Sequence, residues 1–151
     1  MKSSSSEVIL EAKNLSKYFK SSGGGVFNRH KGTVKAVDDV TFQIYKGETV
    51  GLVGESGCGK TTAGRTITKL YEPTSGSIIF NGQEISGLNQ RQMKPLRSKL
   101  QMIFQDPISS LDPRYSVREL VEEPLEIWNK GSDSERIARV NQLLNNVGID
   151  P

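Results

Sequence analysis

An α/β fold, with a group of strands leading into helices, is what the sequence predicts, and three observations predict it. A five-residue apolar run, Thr49-Val50-Gly51-Leu52-Val53, has the length and continuity of a strand buried on both faces. A glycine-rich octapeptide, Gly54-Glu55-Ser56-Gly57-Cys58-Gly59-Lys60-Thr61, follows it with no residue between. Apolar Ala63, Ile67 and Leu70 then recur at helical spacing, and Pro73 bounds the helix they mark.

The remaining elements fall in order around that centre. Residues 1–6, rich in serine, read as a disordered tail, and residues 7–19 as a strand entering a loop, with Val8, Leu10 and Leu15 spaced by polar residues. Residues 20–33 read as a flexible, mildly basic loop of Ser, Gly and cationic residues. Val40-Thr41-Phe42-Gln43-Ile44-Tyr45 alternates as a half-buried strand, and Lys46-Gly47-Glu48 turns. Ser77-Ile78-Ile79-Phe80, then Asn81-Gly82, reads as a strand and tight turn continuing to Ile85 as a hairpin. A short basic helix interrupted by Pro95 is expected over residues 90–98, and Leu100-Gln101-Met102-Ile103-Phe104 is a further strand. Ser116 with Glu119, and Ser132 with Glu135, carry the spacing of capping boxes, so two helices are expected beyond them. Pro124 is expected to divide the first. Ile137, Val140, Leu143, Leu144 and Val147 form the apolar stripe of the second, which stops at Gly148.

Composition narrows the function. The 151 residues carry 20 Lys and Arg against 17 Asp and Glu, a net charge of +3, so no dense cationic face argues for nucleic acid. One cysteine, Cys58, rules out an internal disulfide framework and suits a reducing compartment. The N-terminus has no apolar region of signal-peptide length, and no stretch reaches the roughly 18–20 apolar residues of a membrane helix. Any association with a membrane is therefore expected to run through a partner.

The octapeptide is a P-loop. A polyphosphate needs many donors converging on a small volume, and glycines at 54, 57 and 59 let backbone N–H groups turn inward without side chains in the way. Gly54, Glu55, Ser56, Gly57, Cys58 and Gly59 are expected to cradle the phosphates of a nucleoside triphosphate. Lys60 reaches the β and γ phosphates, Thr61 gives its hydroxyl to Mg²⁺, and Thr62 continues the helix whose positive N-terminus faces the anion. Cys58, beside a helix N-terminus and Lys60, lies where a thiol becomes more acidic.

Together the P-loop and the string Phe104-Gln105-Asp106-Pro107-Ile108-Ser109-Ser110-Leu111-Asp112-Pro113-Arg114 resemble the ATP-binding subunits of ABC transporters, in the branch that imports dipeptides, oligopeptides and nickel. Pro73-Thr74-Ser75-Gly76 and Val121-Glu122-Glu123-Pro124-Leu125 extend the likeness over nearly the whole chain; Asp112, where Asn is more usual, is a small departure. The resemblance implies a P-loop NTPase fold of ABC type: an antiparallel β subdomain, part of a RecA-like core over residues 7–104, and the start of a helical subdomain over residues 105–151. It implies that Gln105 positions Mg²⁺ and the attacking water, with Lys60 as its catalytic companion, and that Tyr18, or its neighbour Phe19, stacks on adenine.

The implied activity is ATP-driven peptide uptake. Its partners are transmembrane permease subunits, a second ATP-binding subunit in a head-to-tail dimer and, indirectly, an extracytoplasmic solute-binding protein, with no nucleic acid. The implied location is peripheral, on the cytoplasmic face of the cytoplasmic membrane. The family's Ser-Gly-Gly-Gln signature, its apolar strand ending in Asp-Glu and its downstream histidine do not occur; the sole histidine, His30, precedes the loop. The chain thus matches an N-terminal half. A nucleotide-binding module without turnover is the alternative, and a nucleic-acid-associated ABC ATPase, using the basic loop, a minor one.

Overall fold

The structure, a computed structural model, describes residues 7–21 and 32–150. They divide into two compact units, Met1–Met102 and Ile103–Pro151. The expectations for residues 1–6 and His30, and most of the basic loop, lie outside the described residues.

The first unit is built on an antiparallel sheet. Strands β1 (Val8–Ser21), β2 (Gly32–Tyr45), β3 (Ser75–Phe80) and β4 (Gln83–Glu84) lie in the order β2-β1-β3-β4. Lys20 pairs with Thr33 and Ser21 with Gly32, so the first two strands run further into the basic segment than their composition suggests. Backbone pairing does not require apolar side chains, which is why the pattern understated them.

Two buried residues on β1, Ala12 and Leu15, are three apart, which a regular strand would place on opposite faces. A register shift between them resolves this: Asn14 turns to φ 48°, its amide N–H reaches the Thr41 hydroxyl, and its side chain donates to Asp39 at 2.8 Å. Gly76 follows from the same bulge, since a Cβ there would lie 2.3 Å from the Asn14 carbonyl oxygen. The core beneath holds Leu10, Ala12, Leu15, Ile78, Phe80, Ile85 and Met93, with Phe42, Ile44 and Ile67 against it.

The β3–β4 hairpin forms as read. Asn81 and Gly82 both take positive φ, 48° and 76°, as a two-residue turn of the twist-matching type requires. The basic helix is likewise short, α2 (Gln90–Met93), passing into a 3-10 turn with Pro95 at its start. Its capping box, Asn89 with Gln92, was legible in the spacing and was not among the boxes identified above.

Helix α1 (Lys60–Ile67) ends sooner than the apolar spacing predicts, leaving Leu70 beyond it and 43% exposed. The stop is a Schellman motif with a lysine in the left-handed position: Lys69, at φ 56°, with Leu70 N–H returning to the Arg65 carbonyl and Lys69 N–H to Thr66. Lys69 is fully buried, and its ammonium donates to the Ser86 carbonyl and to the Glu72 carboxylate. Arg97 adds bonds to the Thr68 and Lys69 carbonyls, placing positive charge at the negative end of the helix.

Neither of two apolar runs expected to be strands is one. Residues 49–53 and 100–104 carry no strand pairing, and Val53 is 93% exposed. A strand exists only with a neighbour to bond to, and every strand among the described residues belongs to the one antiparallel sheet.

The second unit is a helical hairpin. Helix α3 (Val117–Ile127) begins at the Ser116–Glu119 capping box, and α4 (Asp133–Asn146) at the Ser132–Glu135 box. Contrary to expectation, Pro124 does not divide α3, which passes through it. Proline removes one backbone donor, and the turns on either side hold the helix together. Arg118 reaches Asn141 at 2.7 Å across the hairpin, Val140 and Leu144 are buried, and Gly148 closes α4 at φ 76° with Ile149 N–H returning to Leu144.

Candidate functional site: a phosphate loop at the start of helix α1

The octapeptide forms a loop that turns on two glycines of positive φ, Gly57 at 80° and Gly59 at 101°. Gly59 is also the N-cap of α1 and lies against β2, where an added Cβ would stand 2.0 Å from the Ala36 carbonyl oxygen. Only glycine meets both demands, the left-handed backbone and the closeness of a neighbouring strand. The loop is thereby seated on β2 at Gly59, while Gly54 to Cys58 are exposed.

The first intrahelical bond of α1 runs from Ala63 N–H to the Gly59 carbonyl at 2.8 Å. The four amides before it, of Gly59, Lys60, Thr61 and Thr62, therefore have no helical acceptor, and neither a capping side chain nor an acidic residue in the first turn stands in for one. Four donors and the positive end of the helix dipole point at one small region. Lys60 bends back over it: its ammonium donates to the Gly54 carbonyl at 2.7 Å and the Glu55 carbonyl at 2.6 Å, with the Cys58 sulfur at 3.6 Å. A phosphate is the ligand this chemistry fits, offering the lysine a full charge in place of carbonyl dipoles and the amides the acceptors they lack.

Tyr18 sits on β1 opposite Lys35 of β2. Its hydroxyl donates to the Asp38 carboxylate, the Lys35 ammonium reaches the other oxygen of Asp38 at 3.1 Å, and that ammonium also lies 5.3 Å from the Tyr18 ring centroid. The Tyr18 hydroxyl, and after it Lys35, hold the Asp38 carboxyl below the usual range. Asp38 in turn, by its hydrogen bond first and its charge second, raises the Lys35 ammonium. Phe19 has other company: Tyr71 edge-on at 5.6 Å, with the Lys17 ammonium 5.0 Å from its ring.

Lys35, Ala36, Val37 and Asp38 share the lining of one cavity of about 720 Å³ with Cys58, Gly59 and Lys60. Tyr18's two polar partners and the phosphate loop thus meet around a common space. Nothing in the sequence singled out Lys35 or Asp38, because their place beside the loop depends on the pairing register of β1 and β2. Thr61 follows Lys60 on the first turn of α1, and Gln105 is an exposed bend residue in the second unit. Among the described residues no group of three or more His, Cys, Asp or Glu side chains gathers as a metal site.

A glycine loop, a lysine folded over it and an uncapped helix N-terminus define a nucleotide-binding fold of the P-loop NTPase type. The family model described as "ABC transporter" matches residues 37–151, and the chain belongs to that family. Among curated proteins, it is 48% identical over 152 residues to the oligopeptide transport ATP-binding protein AppF of Bacillus subtilis, a match covering 100% of this chain and 46% of that protein. It is 47% identical over 146 residues to the oligopeptide transport ATP-binding protein OppF of the same organism, covering 95% of this chain and 45% of OppF. The chain therefore spans just under half the length of these relatives. Among solved structures, the ATP-binding cassette MJ0796, in a dimeric post-hydrolysis state bound to ADP and Pi, superposes with a TM-score of 0.73 at 27% identity, over 90% of this chain and 56% of that one. No helix among the described residues is long and apolar enough to cross a membrane.

Proposed function

We propose that this chain is the nucleotide-binding portion of an ATP-binding subunit that energises peptide import. The observation that carries the reading is the set of four unbonded amides at the start of α1 beneath the Lys60 ammonium, a site for a polyphosphate. The naming of AppF and OppF as oligopeptide transport proteins supports peptides as the cargo. In this reading Gly54, Glu55, Ser56, Gly57, Cys58, Gly59, Lys60, Thr61 and Thr62 hold the phosphates, the Thr61 hydroxyl and Gln105 hold Mg²⁺, and Gln105 orients the attacking water. Tyr18, with its hydroxyl already fixed by Asp38, offers its ring to adenine.

The whole subunit would act as a head-to-tail pair on the cytoplasmic face of the membrane, bound to transmembrane permease subunits. The dimeric state of MJ0796 supports the pairing. A second reading is nucleotide binding without turnover, because phosphoryl transfer depends on placing metal and nucleophile as well as on holding the phosphates.

Isothermal titration with MgATP tests the site. Saturable binding that is lost in Lys60→Ala is expected, and unchanged affinity in that variant would remove the assignment. Phosphate release by the same chain separates the two readings: steady turnover that depends on Lys60 excludes the second.

A further inference from the structure

Tyr18 is anchored at both ends. Its backbone N–H donates to the Thr74 hydroxyl at 2.9 Å, and its phenol hydroxyl donates to Asp38 Oδ1. With the first anchor alone, both side-chain torsions would stay free and the ring would sweep over the surface of the sheet. The second anchor ends that freedom, and because its acceptor is a carboxylate the bond is of the stronger, charge-assisted kind. Neighbouring residues on a strand point to opposite faces, and Phe19 accordingly packs against Tyr71. Of the two rings, it is that of Tyr18 that is tied to a residue lining the cavity of the phosphate loop.

Stability does not account for Asp38. Its side chain is 48% exposed and that of Lys35 59%, and an ion pair so open to water contributes little to folding. Nor does the binding of phosphate by itself. A carboxylate beside the cavity that Gly59 and Lys60 line repels a polyanion, and Lys35, 3.1 Å from Asp38, offsets that charge without reversing it. What Asp38 supplies is a fixed acceptor for one phenol. The Lys35 ammonium lies over the same ring, 5.3 Å from its centroid. The carboxylate thus sets the tilt of the ring, and a cation over one face directs a planar ligand to the opposite one.

We infer that Asp38 is a positioning residue for the base of the nucleotide. Acting through the Tyr18 hydroxyl, it holds the ring ready to stack, and so raises the affinity of the site for a nucleoside triphosphate over a bare polyphosphate. This rests on the proposed phosphate site and on Tyr18 as the stacking partner of the base. A ring free to turn must be ordered when the base arrives. A ring already held loses less freedom, a difference of about 3–10-fold in affinity. Asp38 touches no part of the nucleotide in this role; its effect passes entirely through one hydroxyl.

Isothermal titration of this chain with MgATP and, separately, with magnesium tripolyphosphate tests the inference through a double-mutant cycle. Asp38→Ala is expected to weaken ATP by about 3–10-fold. Tripolyphosphate has no base to stack and should bind Asp38→Ala as tightly as before or more tightly, since Lys35 is then released from its counter-charge. Asp38→Asn keeps an acceptor for the phenol and should restore most of the ATP affinity. Tyr18→Phe, which keeps the ring and loses the hydroxyl, should match Asp38→Ala, and the double variant should be no weaker than either. Unchanged ATP affinity in Asp38→Ala, a further loss when it is added to Tyr18→Phe, or an equal loss for tripolyphosphate would each overturn the inference. Tyr18→Ala separates it from the reading beneath. Where that variant binds ATP as tightly as the unaltered chain, the stacking role falls and the inference with it; where it binds weakly and Asp38→Ala does not, only the positioning role of Asp38 is lost. An unaltered chain that binds neither probe would sink the phosphate site and the inference together.

Discussion

Replacing Gly59 by alanine tests how the phosphate loop is held. Two separate penalties apply there. An L-residue at φ 101° carries left-handed strain of about 1–2 kcal/mol. The new methyl also arrives 2.0 Å from the Ala36 carbonyl oxygen, a backbone atom of β2 that cannot swing away as a side chain would, and overpacking of this kind costs about 1–3 kcal/mol. Gly57 separates the two terms: it has φ 80° and nothing within 4 Å of an added Cβ, so Gly57→Ala suffers the strain alone. The expected losses are about 2–5 kcal/mol for Gly59→Ala and about 1–2 kcal/mol for Gly57→Ala. The sole tryptophan, Trp128, lies in the second unit and would report on the wrong part of the chain. Native-state hydrogen exchange over β2 and α1 is therefore the assay. Equal losses at the two glycines would refute the claim that contact with Ala36 seats the loop.

Lys69→Met keeps most of the side-chain volume and removes the ammonium that bridges the end of α1 to Ser86 and Glu72; since Glu72 is 60% exposed, most of the effect comes from the Ser86 bond, and a loss of about 1–3 kcal/mol is expected in urea unfolding followed by hydrogen exchange in the first unit. A change below about 0.5 kcal/mol would show that the lysine does not hold the helix end. The Glu135 carboxyl is held below its ordinary value of 4.5, first by the Ser132 backbone N–H and then by the Ser132 hydroxyl. A lowered acid contributes stability that is complete above the unfolded value and disappears as pH falls through the folded one, so the start of α4 should loosen only below about pH 4.5. Glu135→Gln keeps a capping-box side chain without a titrating group, and amide exchange in the first turn of α4 should then lose its acid dependence; persistence of that dependence would assign it to another group.

The parts of this protein that were legible in its sequence are those whose physics is local. The Ser116 and Ser132 capping boxes, the Asn81-Gly82 turn and the Gly148 stop each depend on residues a few positions apart, so spacing alone determines them. The phosphate loop belongs with them, because its amides are aimed by its own glycines and by the helix that follows directly. Where elements end was not legible. Helix α1 stops at Ile67, ahead of Lys69, whose left-handed turn is sustained by Ser86 and Glu72, and β1 and β2 lengthen through each other's backbones. Nor was the company of the site, since Asp38 and Lys35 reach Tyr18 only through the register of two strands.

Residues 49–53 mark the division most sharply. Their composition determined an affinity for a buried sheet position, yet in this chain they are unpaired and exposed. An apolar run states a preference for burial. Whether it becomes a strand depends on a second backbone with N–H and C=O groups to offer, and tertiary structure alone decides whether one is there.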